Sequence, residues 1–556
     1  MATGPTRVPL PNEASFRANG NHVVEGGLLR VNMKSRLHPI YKLIRDARKA
    51  WDNKLERQSQ SLEEATVEYR RRYGRQPPRG FDKWWKYVVN NNVTLPDEYD
   101  QVDRDLLPFR ALTPEELTRR LNDTRNWPHT YTLQVKNGSL HKTVSFDENE
   151  IGGARERMEG QAALIEPVMK DLEDFTAVYW VHDNPRVAIS YHHRQDLTKT
   201  LRGRQYFDEN EELDPPIRRW SVMCPPDSRM GIGKGRMQDR VDCFNRTPTS
   251  HTFIADHQRS MDLCEHPENV PLHGALTGKH PGEGDWTLNP LFVLSKTTLH
   301  ADILGVSVEQ VVEGMRDVPW EEKREEKVMW RGRTTGIVYS KGAPWRTTQR
   351  PRLIKLANDN QGEVEILGPS KGMRGRTVEE ELRKIPIAMA NEHYLDIAFV
   401  EEPIQCDASD GTCQEIVDEY RFAEGIISHD AALHYKYIID VDGNAWSARF
   451  QRLLSGGSLI FKATIFPEWW TDRMQAWVHY VPIQLDYSDL YDVIAFFRGD
   501  ITDQGGESAL AKEIAEAGKA WARANWRQAD MTAYMFRLYL EWARLLAPQT
   551  ENMDFT

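Results

Sequence analysis

Long apolar runs, a basic surplus and cysteines at metal-binding spacing are all missing from this 556-residue sequence. No window approaches the ~18 apolar residues of a membrane-spanning helix, and no signal-peptide core follows Met1. The net charge of −11 argues against nucleic acid as a partner, because surfaces that bind nucleic acid are basic. None of the five cysteines has Cys-x-x-Cys spacing, so we expect no zinc site. Taken alone, the absence of a membrane span and of a signal-peptide core indicates a soluble cytosolic protein.

The cysteines and the glycosylation sequons favour a secretory lumen instead. The cysteines form two groups: Cys224, Cys243 and Cys264, and then Cys406 and Cys413. Cys224 or Cys243 could pair with Cys264, the second group could close a short loop, and one cysteine is left over. The Asn-x-Ser/Thr sequons are at Asn92, Asn122, Asn137 and Asn245. Glycosylation at these asparagines would need a secretory lumen.

The N-terminal part of the chain predicts a helical extension. Residues 1–36 are polar and contain several glycines, and we expect little order there. Further on, apolar residues recur at helical spacing, and a capping box at Ser61 starts a helix that Gly74 ends. Thr113 caps another helix. We therefore predict a helical stem over residues 37–150 with no chemistry of its own.

After the stem, strand and helix patterns alternate, which favours an α/β fold. Apolar stretches predict strands at Ala177–Val181 and Leu291–Leu294 in one block, and at Val328–Trp330 in a second block. Two such blocks predict two open, doubly wound domains that face each other across a cleft. The length of the chain also requires more than one hydrophobic core.

The domain boundaries are placed where these patterns change. We predict a first Rossmann-like domain over residues 151–320, a second over 321–505, and C-terminal helices over 506–556. The last unit has apolar stripes at helical spacing within Ser508–Trp526 and Met531–Leu546. We expect these two helices to pack back across both lobes.

The segment after Tyr435 has the strand–turn–helix–strand order of a ligand-binding unit. The apolar run Tyr437–Ile439 predicts a buried strand, and a turn that contains Gly443 follows it. Ser447 and Arg449 are expected in the first turns of the next helix. Such units bind ligands where the first strand ends, and helix N–H groups with an arginine suit a diphosphate. We predict that Gly443 permits close backbone approach, Ser447 donates its hydroxyl, and Arg449 reaches a phosphate or ribose.

Two carboxylate motifs also follow predicted strands. Asp183 lies just past the strand at Ala177–Val181, where α/β proteins place functional groups, but an aspartate before Asn-Pro also suits a turn cap. Asp440 and Asp442 form an Asp-x-Asp triplet of the kind that can hold a divalent metal against a nucleotide diphosphate. From the residues alone, both questions stay open.

Five segments, in order along the chain, resemble glycosyltransferase family 90. They are YWVHDNP (Tyr179–Pro185), NPLFVLSKTTLHADIL (Asn289–Leu304), WRGRTTG (Trp330–Gly336), WRTTQRPRLIKL (Trp345–Leu356) and the unit at residues 435–483. The stem resembles the fungal branch of the family. The resemblance implies a GT-B architecture of two Rossmann-like domains, and an inverting transfer from a UDP-sugar without a metal ion. We therefore expect no metal site and no cofactor.

The same resemblance implies roles for single residues. Asp183 would be the base that accepts the acceptor hydroxyl proton, and Arg350 would contact the pyrophosphate. Ser295 and Thr334 are expected at the donor, and Glu468 near the ribose hydroxyls. Arg350 belongs to an arginine-rich stretch that could stabilise the departing diphosphate, although at least two of its five members could instead form a surface basic patch. The other four are Arg331, Arg333, Arg346 and Arg352.

The predicted function is the transfer of a sugar from a UDP-sugar to a hydroxyl of a glycan or glycolipid. UDP-xylose is the expected donor because the stem resembles the fungal branch, and UDP-glucose is the second choice. The alternatives are an O-glucosyltransferase of the family's Rumi branch, acting on protein serine, and a catalytically silent glycan-binding member of the fold. Since the family works in the secretory pathway, we expect the Golgi lumen, with membrane contact only through an anchor that this sequence lacks.

Overall fold

The computed structural model describes residues 7–19, 21–147, 152–207, 219–232, 251–278, 285–310, 316–369, 375–425 and 427–556. Within this part of the chain the fold is α/β, as the sequence predicts, and it contains two five-stranded sheets. The expectations for Cys243 and Asn245 fall outside the described residues.

The N-terminal region is mainly helical. Its elements are α1 (Glu13–Asn19), β1 (Val23–Glu25), β2 (Leu28–Arg30), α2 (Pro39–Glu56), α3 (Leu62–Tyr73), α4 (Phe81–Asn90), α5 (Asp100–Leu106) and α6 (Pro114–Thr124). The predicted caps are present, because the Ser61 and Thr113 side chains accept N–H groups of the first helical turn and Gly74 ends α3 in the left-handed conformation. Residues 1–36, which we expected to have little order, contain regular structure where they are described, because β2 pairs with a strand at Thr252–Ile254.

The first large sheet is mixed. Its region contains β3 (Thr130–Lys136), β4 (Ser139–Val144), α7 (Ala154–Ile165), β5 (Phe175–Trp180), α8 (Tyr191–Arg202), α9 (Arg229–Ile232), β6 (Thr252–Ile254), α10 (His257–Ser260), α11 (Gly274–Thr277), β7 (Phe292–Val293) and β8 (Ile303–Leu304). The strand order is β4-β3-β5-β7-β8. β5, β7 and β8 run parallel, whereas β3 is antiparallel to both of its neighbours.

The antiparallel hairpin β3–β4 departs from the doubly wound domain that we predicted. It turns at Asn137 and Gly138, whose φ angles of 50° and 69° suit a two-residue hairpin. The sequence pattern assigned this hairpin to the helical stem. β4 is an edge strand with exposed side chains, so it lacks the apolar alternation that marks a half-buried strand.

The second large sheet is parallel throughout. Its region contains β9 (Glu325–Gly332), α12 (Gln349–Asn358), β10 (Glu363–Leu367), α13 (Val378–Glu381), β11 (Leu382–Pro386), α14 (Ile387–Tyr394), β12 (Leu395–Phe399), α15 (Thr412–Glu419), α16 (His429–Ala432), β13 (Tyr435–Val441), α17 (Phe450–Ser455), β14 (Leu459–Ala463), β15 (Val481–Pro482) and α18 (Leu490–Arg498). The strand order is β12-β9-β13-β14-β15, and β10 and β11 form a separate hairpin. The order therefore reverses between β9 and β13. In open α/β sheets, ligands bind beside the strand ends at such a switch point.

The two C-terminal helices, α19 (Ser508–Asn525) and α20 (Gln528–Leu546), contact both sheets. α19 packs on α17 and β14, and α20 packs on α4, α6, α7 and β5. Tyr539 on α20 bonds the Tyr179 hydroxyl at 2.6 Å, and Trp542 Nε1 donates to the Thr176 carbonyl at 2.8 Å. These bonds join α20 to the first sheet. None of the described helices combines the length and apolar character that a membrane span requires.

Two disulfides are present in the described residues: Cys224–Cys264 and Cys406–Cys413. Of the two partners that the sequence allowed for Cys264, the structure has Cys224. The described sequon asparagines are all exposed: Asn92, Asn122 and Asn137.

Candidate active site

The loops after β9 and β13 meet at the switch point, and the Arg350 side chain joins them. Arg350 lies in the first turn of α12 and is buried. Its Nε donates to the Asp442 carbonyl at 3.0 Å, and its Nη1 donates to the Arg333 carbonyl at 2.7 Å and to Thr335 Oγ1 at 2.5 Å. Burial, and then the charge of Arg449, lower the pKa of Arg350 to about 10. The guanidinium therefore stays charged at neutral pH.

Two glycines let these loops approach each other. Gly336 has a φ of +114°, and a Cβ there would lie 2.9 Å from Gln349 Nε2 and 3.3 Å from the Gly443 carbonyl oxygen. A Cβ at Gly443 would lie 3.3 Å from Arg350 Nη2. This Nη2 atom has no hydrogen-bond acceptor in the described part of the chain. A guanidinium donor at the carboxyl edge of a parallel sheet suits a phosphate oxygen.

Ser447 and Arg449 precede the helix rather than lie within it. α17 begins one residue after Arg449, so the predicted placement in the first helical turns was wrong. The buried Ser447 Oγ donates to Asp440 at 2.5 Å. Arg449 donates to the carbonyls of Arg331 at 2.9 Å and Val441 at 2.8 Å. Because those carbonyls belong to β9 and β13, the Arg449 side chain links the two strands behind the switch point.

The Asp-x-Asp triplet faces a buried lysine. Lys462 on β14 is the register partner of Asp440 on β13, and its Nζ lies 2.9 Å from Asp440 Oδ2 and 3.7 Å from Asp442 Oδ1. Burial opposes the lysine charge, but the two aspartates raise the pKa of Lys462 overall. His273 Nε2 also lies 3.3 Å from Asp442 Oδ2. Across the described ranges, no cluster of three His, Cys, Asp or Glu side chains could hold a metal ion.

We expect Asp440→Asn to destabilise the fold by about 3–5 kcal/mol, because the buried Lys462 charge would lose the carboxylate at 2.9 Å and keep Asp442 at 3.7 Å. Urea unfolding measures this loss as a lower midpoint. The control is Asp123→Asn, which breaks an ion pair with Arg119 whose side chains are 57% and 59% exposed. We expect that change to cost less than about 0.5 kcal/mol. Equal midpoints for the two variants would contradict the importance of the buried pair.

Asp183 lies in the loop after β5 and faces the second sheet. Its Oδ1 accepts from Arg157 Nη2 at 2.6 Å, and its Oδ2 accepts from Asn444 Nδ2 at 3.3 Å. Its backbone carbonyl accepts from Ser295 Oγ at 2.9 Å, which anchors the loop on the segment after β7. The Asp183 side chain is 33% exposed, so a substrate hydroxyl can reach it. The Asn444 side chain therefore connects the predicted base, Asp183, to the turn after β13 where the donor is predicted to bind.

Arg157 and Asn444 are site residues that the sequence reasoning missed. Arg157, on α7, pairs with both Asp183 and Glu309. Burial opposes its charge, but Glu309 and then Asp183 raise the pKa of Arg157 overall. Asn444 follows Gly443, and its Oδ1 accepts the Gly336 N–H at 3.0 Å. No local pattern marks Arg157, whereas the position of Asn444 in the turn after a buried strand was a usable signal.

The other predicted site residues make contacts within the protein. Thr334 is buried, and its Oγ1 bonds the carbonyl and N–H of Ile404 at 3.0 and 2.7 Å. Glu468 is buried, and its charge acts on Lys462. The remaining arginines of the cluster are held elsewhere: Arg331 by Asp396, Arg333 by Glu401, Arg346 by Glu415 and Glu419, and Arg352 by the Leu485 carbonyl. Of the five, Arg350 is the one whose side chain joins the switch-point loops.

The fold is thus α/β, and a parallel sheet with an arginine at its switch point is the kind of arrangement at which α/β proteins bind ligands. Residues 288–554 match the family model described as glycosyl transferase family 90, and this part of the chain belongs to that family. The matched region includes Arg350 and Asn444, whereas Asp183 and Arg157 lie upstream of it.

Similarity to known proteins agrees with the family. The chain is 37% identical to protein O-glucosyltransferase 2 of Danio rerio over 121 residues, which is 22% of this chain and 23% of the relative. It is 31% identical to protein O-glucosyltransferase 1 of Homo sapiens over 116 residues, 20% of this chain and 27% of the relative. It is 23% identical to O-glucosyltransferase rumi of Drosophila melanogaster over 298 residues, 53% of this chain and 62% of the relative. The matched stretches therefore span less than two thirds of each relative.

Proposed function

We propose that this protein transfers a sugar from a UDP-sugar to a hydroxyl group, with inversion at the anomeric carbon and Asp183 as the base. One observation carries the proposal: Asp183 bonds Asn444, in the turn whose Asp442 carbonyl is bonded by Arg350. A base and an anion-binding arginine at one cleft are the elements that such a transfer needs. The family of residues 288–554 supports the reaction class.

In the proposed step, the acceptor oxygen attacks the anomeric carbon while Asp183 takes its proton. The new carbon–oxygen bond forms as the bond from the anomeric carbon to the diphosphate oxygen breaks, and UDP leaves with the electron pair. Arg350 stabilises the charge that the diphosphate gains, and its fixed bonds to the two loops avoid reorganisation during the step. Arg157 holds Asp183 Oδ1 at 2.6 Å and so fixes the orientation of the carboxylate during the step.

The proposal assigns the donor to the second lobe and the acceptor to the first, in a two-lobed GT-B arrangement. The parallel order of the second sheet and its switch point support the donor half. The contact of Asp183 with Asn444 supports an acceptor half in the first lobe that faces this donor half. The mixed first sheet supports this architecture less directly, since only β5, β7 and β8 run parallel.

UDP-xylose is our first proposal for the donor, with a glycan or glycolipid as the acceptor. It rests on the resemblance of the N-terminal stem to the fungal branch of the family. The second candidate is transfer of glucose to protein serine, and the names of the matched relatives favour it, because they are O-glucosyltransferases. Both reactions use the same base and the same diphosphate contacts.

A UDP-release screen tests these proposals. UDP-xylose, UDP-glucose and other UDP-sugars are each supplied alone, with a mannoside, or with a serine-containing protein acceptor. Release from UDP-xylose with the mannoside supports the first donor, and release from UDP-glucose with the protein supports the second. Binding of UDP without turnover of any donor would favour a silent glycan-binding protein. Binding of another nucleoside diphosphate in place of UDP would overturn the donor class.

We expect the activity to survive EDTA. Lys462 lies 2.9 Å from Asp440 and 3.7 Å from Asp442, so the triplet faces a protein cation, and Arg350 supplies charge for the diphosphate. The measurement is UDP release after dialysis against EDTA, with and without added Mn²⁺. Loss of activity that Mn²⁺ restores would make Asp440 and Asp442 metal ligands and contradict the metal-independent mechanism.

The proposed compartment is the secretory pathway, with the Golgi lumen as first choice. Two disulfides support an oxidising environment, and the exposed sequons at Asn92, Asn122 and Asn137 are accessible to glycosylation. Treatment of the secreted protein with an endoglycosidase should lower its apparent mass.

A further inference from the structure

One amide side chain connects three loops of the proposed site. Asn444 Oδ1 accepts the Gly336 N–H at 3.0 Å, and Asn444 Nδ2 donates to Asp183 Oδ2 at 3.3 Å. Gly336 follows β9, Asn444 follows β13, and Asp183 follows β5 of the other sheet. The orientation of the amide is determined by its partners, because an N–H group can only donate and a carboxylate can only accept.

The two oxygens of the Asp183 carboxylate are held differently. Oδ1 is bound at 2.6 Å by Arg157, which is itself paired with Glu309. Within the described residues, the longer contact with Asn444 is the only hydrogen bond to Oδ2. Because a carboxylate oxygen has two lone pairs, Oδ2 can accept from Asn444 and from an acceptor hydroxyl together. Oδ2 is therefore the oxygen from which the base acts.

We propose that Asn444 is a positioning residue that aligns Asp183 Oδ2 with the donor-binding turn. The inference rests on the proposed function, and it adds a residue that couples the donor half of the site to the base. A residue needed only for its own turn would bond within that turn. Asn444 instead donates its Nδ2 hydrogen bond to the Asp183 carboxylate, which follows a strand of the other sheet. The orientation of the base thereby depends on the conformation of the turn next to Arg350.

The test is Asn444→Asp, which keeps the shape of the side chain and the acceptor for Gly336 but replaces Nδ2 by a carboxylate oxygen. Two carboxylates would then share one site, which raises the pKa of one of them. We expect kcat to fall about 10- to 100-fold at neutral pH and the acidic limb of kcat/KM to move to higher pH by about one unit or more. UDP affinity should stay within a few-fold.

The charges around Asp183 bear on the pH profile. Arg157 on α7 forms an ion pair with Asp183, and it also forms an ion pair with Glu309. His182 is its neighbour in sequence and lies 2.9 Å from His129. Asn444 is the uncharged group from the second lobe. The histidines are unchanged in Asn444→Asp, so a shifted limb reports the new carboxylate. A matched control is Asn126→Asp, which makes the same charge change at an exposed position.

A second measurement tests the contact without using activity. At pH 8, Asn444→Asp should lower the unfolding midpoint, and the exchanged pair in Asp183→Asn/Asn444→Asp should restore it, because an amide again faces a carboxylate. If the wild type releases UDP and Asn444→Asp matches it in kcat and acidic limb, the inference is wrong and the proposed function stands. If the wild type releases UDP from no donor, the proposed function is wrong and this role falls with it.

Discussion

Asp183→Asn should lower sugar transfer by about 10²–10⁴-fold while UDP affinity stays within a few-fold. The amide keeps the shape of the side chain and an oxygen that can accept from Arg157, but it cannot take the acceptor proton. The diphosphate contacts lie on the other lobe at Arg350, so the donor should still bind. Transfer is measured as UDP release with the best donor of the screen, and affinity by calorimetric titration with UDP.

A matched control for this variant is Glu159→Gln on α7. Glu159 pairs with Lys142 at the surface and its side chain is 47% exposed, so we expect transfer and UDP affinity to stay near wild-type values. Near wild-type transfer by Asp183→Asn would remove Asp183 from the role of base. A loss of UDP affinity as large as the loss of transfer would instead assign Asp183 to donor binding.

Arg350→Lys should weaken UDP binding by about 10- to 100-fold and lower kcat/KM by about 10²–10³-fold. Lysine keeps the charge but cannot donate at once to the Asp442 carbonyl, the Arg333 carbonyl and Thr335, so the two loops lose their shared donor. Lysine also replaces a forked donor by a single ammonium group at the diphosphate. The same titration and UDP-release assays measure both effects.

The lysine variant should also show a dependence on pH that the wild type lacks. Burial and Arg449 lower the pKa of Arg350 to about 10, which leaves the arginine charged at neutral pH. The same burial lowers the pKa of a lysine from its ordinary value of about 10.4, so its charge is lost as the pH rises. We expect the residual UDP affinity of Arg350→Lys to decline from pH 7 to 9. If Arg350→Lys bound UDP as tightly as the wild type at both pH 7 and pH 9, the diphosphate would have to bind elsewhere.

Arg346→Lys provides the matched control for the arginine cluster. Arg346 pairs with Glu415 and Glu419 at the surface, and its side chain is 48% exposed. Because lysine can maintain an exposed ion pair, this variant should bind and turn over the donor like the wild type. Equal losses in Arg346→Lys and Arg350→Lys would contradict the distinction that the structure draws between them.

Local patterns were sufficient for much of the secondary structure. The strands around Tyr179 and Ile438 were predicted because continuous apolar runs mark strands that are buried on both faces. The caps at Ser61 and Thr113 were predicted because their bonds stay within one helical turn. Gly443 could be assigned to the loop after a buried strand for the same reason, since a turn signal follows the strand directly.

The hairpin β3–β4 and the start of α17 could not be predicted in this way. β4 lies at a sheet edge with exposed side chains, so no apolar alternation distinguishes it from a solvated stem. The turn after β13 extends to Arg449, and within it the Ser447 hydroxyl bonds the Asp440 side chain on β13. These outcomes depend on contacts between neighbouring segments and not on the periodicity of one.

By itself, the sequence determined the α/β class, the resemblance to one glycosyltransferase family and the identity of Asp183 and Arg350 as candidates, because each depends on residues close together in the chain. The tertiary structure decided the strand order that creates the switch point and the pairing of Asp440 with Lys462 across two strands. It also brought Asn444 to Asp183, 261 residues away. Hydrogen bonds and ion pairs act over a few ångströms in space, so contacts between distant segments exist only once packing has set how the two sheets face each other.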